Sequence, residues 1–96
     1  MTTERDEKDA LRRQQIAESE VQAGQFWRHY KGGQYAIIDI ATHTETDELM
    51  VVYTSAEVVG GDVWVRPLDH FLSYTTEIAP GETEGTELAR FTRMDD

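Results

Sequence analysis

The sequence predicts a mainly β domain, a small SH3-like barrel or rolled antiparallel sheet of five or six strands, preceded by an N-terminal helix. Three observations carry this. From Gly24 onward, apolar and β-branched residues alternate in short runs. Turn formers such as Gly32-Gly33, Gly60-Gly61 and Pro80-Gly81 separate those runs at the spacing of small all-β folds. Before Gly24 lies a stretch rich in Glu, Arg, Gln and Ala without Gly or Pro, the composition of a helix. With 96 residues there is room for one core, since a chain of this size buries roughly 60% of its unfolded surface. Closing or rolling the sheet hides strand edges that an open sheet would expose; a flat meander covered by the helix is the alternative. The chain therefore divides into a charged, partly ordered helical arm, 1–23, and a β domain, 24–96.

The helix is expected over residues 3–21, with Thr3 as N-cap and Asp6 in the first turn. Ala10, Ala17 and Val21 share one stripe while Leu11 and Ile16 flank it, so the apolar face is thin. Alone, such a helix is marginal in water. It must dock on the domain, pair with another copy, or fray. A first strand follows over 25–30, then the Lys31-Gly32-Gly33 turn and a β-branched strand over 34–42. In that second strand Tyr35, Ile37 and Ala41 alternate against Ala36, Ile38 and Ile40. Glu45–Glu48 reads as a hairpin loop and Leu49–Ser55 as an almost wholly apolar, central strand. Val63–Arg66 is a short strand ended by Pro67, which has no N–H for a ladder. A single helical turn at 68–71 and a strand at 72–78 come next. The polar stretch 82–87 leads to a last strand, 88–94, anchored by Leu88 and Phe91.

The formal net charge is −10, from 19 acids and nine bases spread along the chain. Duplex nucleic acid is bound mainly by Lys and Arg neutralising phosphates, so this balance argues against that partner. A local cationic pocket around Arg28, Lys31 and Arg66 would still suit one small anion. The absence of cysteine excludes disulfides, zinc–thiolate sites and a thiol nucleophile. No apolar run approaches the length of a membrane span, and the charged amino terminus is unlike a signal peptide. A cytoplasmic setting without membrane attachment is expected.

Two blocks concentrate the chemistry: Trp27-Arg28-His29-Tyr30-Lys31-Gly32-Gly33 and Trp64-Val65-Arg66-Pro67-Leu68-Asp69-His70-Phe71. They point to a ligand-binding surface of Trp27, Arg28, His29, Tyr53, Trp64 and Arg66. An indole beside a guanidinium makes a platform for a planar ring with an anionic group. Strand alternation places Trp64 and Arg66 on one face but separates Arg28 from Trp27 and His29. In the competing reading Phe26 and Tyr30 face the core with Arg28 at its rim, Trp64 is a core residue, and Arg66 pairs with Asp69 or Asp62.

Catalytic signatures are absent from the sequence. His43 and Glu45, with His29, His70 or Asp69, have no recognisable metal-ligand spacing, and His43 is more simply a hairpin side chain bonding loop backbone. Ser55 and Ser73 have no neighbouring base and there is no GxSxG elbow. No metal and no cofactor are expected.

Four ordered blocks, 27–32, 41–46, Val51-Val52-Tyr53 and Trp64–Leu68 with Phe71, resemble the family of small bacterial and phage proteins catalogued as domain of unknown function 1653. The resemblance covers roughly residues 24–78. It implies a compact all-β domain, sometimes near nucleotide-processing enzymes, and no established activity. His70 departs from it, standing where a methionine is commoner; so do the acidic helix and the tail after Pro80.

The functional expectation is a small non-catalytic binding module that recognises a small planar anionic, nucleotide-like ligand or a peptide segment. Two alternatives stand beside it. One is a protein-interaction module or homo-oligomer acting through helix 3–21. The other is a metal-dependent nucleotide-related hydrolase using His43 and Glu45.

Overall fold

The computed structural model of the chain describes residues 4–94. Its helix α1 spans Glu4–Glu18 and is followed by strands β1 (Phe26–His29), β2 (Gln34–Thr42), β3 (Leu49–Ser55) and β4 (Val63–Pro67). A single turn, α2 (Leu68–Phe71), precedes β5 (Tyr74–Glu77), β6 (Thr86–Ala89) and β7 (Phe91–Met94). Thr3, the expected cap, lies outside the described residues, as does the side chain of Asp6.

Five strands form one antiparallel sheet in the order β4-β3-β2-β1-β7, and β5 pairs with β6 in a separate ribbon. The sheet rolls but does not close. Among the described residues β4 and β7 are both edges, with no ladder between them. The single last strand expected over 88–94 is divided. Thr86–Ala89 pairs with β5, whereas Phe91–Met94 runs beside β1 with Phe91 opposite His29. Arg90 is the crossing point: its N–H donates to the Ser73 carbonyl at 2.9 Å, and its carbonyl accepts from Tyr30 N–H at 3.0 Å. Phe91 is accordingly buried, while Leu88, expected as a second anchor, lies out on the ribbon, 37% exposed. Gly85 begins the return of that ribbon, where a Cβ would collide with Thr76 Cγ2.

A bulge in β2 corrects the expected alternation. Ile37 pairs with Tyr53 and Asp39 with Val52, so Ile38 is the extra residue. Ile38 and Asp39 both turn outward, and Ile37 and Ile40 both reach the core. Asp39 Oδ1 accepts from Ile40 N–H at 2.8 Å within the bulge. Pro67 is tolerated inside β4 because that strand is an edge.

The core lies on the concave face: Trp27, Ile37, Ile40, Val51, Tyr53, Phe71 and Phe91, joined by Val21 from the segment before β1. Both Val21 and Phe71 are fully buried. Trp27 meets Phe71 edge-on at 5.3 Å, and its indole N–H donates to Gln25 Oε1 at 3.0 Å. Ile16 brings the end of α1 onto the same cluster. The Gln22 amide donates to the carbonyls of Ile16, Ala17 and Ser19, satisfying groups a helix terminus leaves unpaired. Arg12 of α1 pairs with Asp9 and reaches Asp47 of the β2–β3 loop at 3.6 Å, a contact open to solvent on the Asp47 side and worth about 0–1 kcal/mol. The radius of gyration, 16.2 Å, exceeds the ~12.5 Å expected for a compact chain of this length. Much of α1 lies away from the core, with Leu11 57% exposed.

The Phe71 ring is the best single probe of this arrangement. Phe71→Ala should cost about 3–5 kcal/mol, the range for removing a buried aromatic ring, in urea denaturation. Leu88→Ala, on the ribbon, should cost under about 1 kcal/mol. Equal losses would contradict the division of the last strand.

Candidate functional site

Above this core the concave face opens into a cleft of about 400 Å³ near the edge strand β4. Its walls are His29 from β1, Tyr35 from β2, Tyr53 from β3 and Phe91 from β7, with Trp64, Val65 and Arg66 along β4. The sheet register explains the convergence. Tyr53 sits opposite Trp64, Val51 opposite Arg66, and His29 opposite Phe91, all pointing inward from a curved sheet. Rolling then brings rings from different strands into contact: Tyr35 lies 5.9 Å from Trp64 and 5.5 Å from Tyr53, both at steep angles. Phe91 stacks on Phe71 at 4.0 Å and 9°.

Arg66 is held by three neutral partners. Its Nε donates to the Tyr53 hydroxyl at 3.1 Å and its Nη1 to His70 Nδ1 at 3.0 Å. The guanidinium carbon lies 5.2 Å from the Phe91 ring centroid. The pairing of Arg66 with Asp69 or Asp62 anticipated from sequence is not formed; among the described residues Arg66 has no carboxylate within ion-pair distance. Among the described residues no acidic side chain lines the cleft. In a chain of net charge −10 this is a local positive island.

The histidines report the same field. His29 has its pKa lowered by burial first, then by the charges of Arg66, Lys31 and Arg90. Its Nδ1 accepts from Lys31 N–H at 3.2 Å, which places the proton of the neutral ring on Nε2. His70 also has a lowered pKa, through desolvation first and then Arg90 and Arg66. Arg90 is oriented by a bond from its Nε to Ser73 Oγ at 3.1 Å.

Of the six residues singled out from sequence, His29, Tyr53, Trp64 and Arg66 come together in this cleft. The other two do not. Trp27 is 5% exposed with its N–H satisfied inside the fold, so it belongs to the core rather than to a surface. Arg28 projects from the opposite face and lines a separate depression with Thr92, Arg93 and Met94. Alternation had already set Arg28 apart; burial of Trp27 follows from its position over Phe71. Sequence reasoning missed three contributors, Tyr35, His70 and Phe91. Tyr35 and Phe91 depend on which strands become neighbours. His70 had a local signal, four residues after Arg66 across a turn begun by Pro67.

The family is decided by the extent of the match. The sequence family described as Protein of unknown function (DUF1653) aligns with residues 25–93, most of the chain and nearly the whole sheet. The chain belongs to the DUF1653 family. No curated protein and no solved structure matches it. The match begins at Gln25, so the DUF1653 region contains every wall of the cleft, and α1 precedes it.

Elsewhere in this DUF1653 protein, His43 Nδ1 accepts from the N–H groups of Glu45 and Thr46 at 3.1 and 3.3 Å, tying down the β2–β3 loop. Among the described residues no three His, Asp or Glu side chains gather closely enough to hold a metal ion. No described helix is long and apolar enough to cross a membrane.

Both lowered histidines give stability a definite pH dependence. Below pH 6.5 the unfolded chain binds protons that His29 and His70 resist in the folded state, so stability falls as pH drops through 6.5 toward the lowered values. Urea midpoints at pH 7.5 and 5.5 should therefore differ less in His29→Gln than in the wild type. An unchanged difference would show that the folded His29 is not held neutral.

Proposed function

We propose that the chain is a non-catalytic binding module whose cleft takes a small planar anionic ligand of the nucleotide-like or aryl phosphate kind. The observation that carries the reading is Arg66: fixed by neutral groups, unneutralised by any described carboxylate, and set among aromatic rings. A purely structural arginine in so acidic a chain gains most from a carboxylate partner, and acids outnumber bases here by 19 to nine. The arrangement instead keeps part of the guanidinium available. Trp64, 41% exposed, offers a face on which a planar ring can stack, and such contacts contribute about 1–3 kcal/mol per base. Tyr53 accepts from Arg66, which leaves its own O–H free to donate. The volume lies within the usual range for small-molecule sites.

Self-association through the helix has less in its favour. Leu11 is the one large apolar side chain exposed on the described part of α1. A stable interface needs roughly 800 Å² per partner with an apolar centre.

A thermal-shift panel of nucleoside monophosphates, cyclic nucleotides and aryl phosphates tests the proposal. At least one class should raise Tm in the wild type, and Arg66→Ala should abolish the rise. Arg28→Ala, altered on the opposite face, should keep it. A flat panel, or a stabilisation indifferent to Arg66, would contradict the reading.

A further inference from the structure

Resting on that reading, we propose that His70 is the positioning residue of the cleft: neutral, it holds Arg66 toward the ligand, and protonated it releases it. An arginine has only donors, so in the 3.0 Å contact between Nη1 and Nδ1 the imidazole must accept. That contact exists only while Nδ1 carries no proton. Protonation would set an N–H of one cation against an N–H of another at the same distance, turning a charge-assisted hydrogen bond into a repulsion. Arg66 would retain its bond to Tyr53 and its contact with Phe91, but lose the partner that fixes the end of the guanidinium.

His70 is built to respond. It lies in the single turn α2, which follows Pro67 and runs on to the buried Phe71, and its own carbonyl accepts from Ser73 Oγ at 2.5 Å, so the backbone under the ring is tied down. The charged groups that face the ring are Arg66 from β4 and Arg90 from the β6–β7 crossing; Asp69 is its neighbour on α2. Both arginines favour the neutral ring, as does its desolvation. The ring is nonetheless on the surface and in reach of protons from water. An anion seated on Arg66 would attract a proton to His70, but across solvent, where such attractions are weak. The direct contact at 3.0 Å decides the sign. Affinity is highest at neutral pH and weakens as the pH falls below the ordinary imidazole range.

Benzenesulfonate, whose charge does not change between pH 5 and 8, is the probe, titrated by calorimetry and by tryptophan fluorescence. Its affinity for the wild type should drop about threefold to tenfold from pH 7.5 to pH 5, the usual yield of one hydrogen bond. His70→Leu should bind weakly at both pH values. His70→Gln, whose amide oxygen can accept from Arg66 without titrating, should restore binding and flatten the profile. His29→Gln should leave the fall with pH in place. Tighter binding at low pH, a His70→Leu variant equal to the wild type at pH 7.5, or a profile abolished by His29→Gln would each overturn the assignment to His70. Binding that needs Arg66 but ignores pH overturns this inference and leaves the anion site standing. No binding by the wild type at any pH removes both.

Discussion

The structure depends on one stack of rings, Phe91 on Phe71, at 4.0 Å and nearly parallel. Phe71 arrives from the single turn after β4, and Phe91 from the strand that enters beside β1 after the ribbon. Their meeting joins the two ends of the rolled sheet through side chains, where among the described residues no ladder joins them through backbone. Trp27 and Tyr53 pack edge-on against Phe71 from the middle strands. Because the sheet is curved over this stack, the inward residues of β4 tilt toward β1 and β7. The cleft is what remains between the stack and the β4 edge.

That constraint also sets the electrostatics. Arg66 lies over Phe91 and between Tyr53 and His70, each contact worth on the order of 1 kcal/mol. Their sum is enough to order one side chain, whose entropy cost is about 2 kcal/mol. A carboxylate at the same place would also order it, but would cancel its charge. Neutral partners order the arginine and leave the charge in the cleft, where His29 and His70 both register it.

The legibility of the fold follows the range of the interactions. Runs of β-branched residues and glycine-bearing turns placed β1 to β4 closely, because those features act within a few residues. The Pro67 stop and the turn at 68–71 were legible for the same reason. Two features were not. The bulge at Ile38 arises because the core needs both Ile37 and Ile40, a tertiary demand that overrides alternation. The division of 88–94 at Arg90 depends on carbonyl and amide partners at Tyr30 and Ser73, far away in sequence. In the site, Trp64 and Arg66 were assigned to one face by their spacing alone, and the sheet keeps them there. Trp27 was legible as an important aromatic residue but not as a buried one. Tyr35 and Phe91 required knowledge of which strands become neighbours, whereas His70 carried a local signal, four residues after Arg66 across the turn that follows Pro67.

The most direct test of the central claim is a crystal structure of the full chain with phenyl phosphate at neutral pH. The phosphate is expected on Arg66, the phenyl ring against the exposed Trp64, and the His70 bond to Arg66 retained. Ligand bound instead near Arg28 on the opposite face, or an Arg66 turned away and paired with a carboxylate, would contradict it.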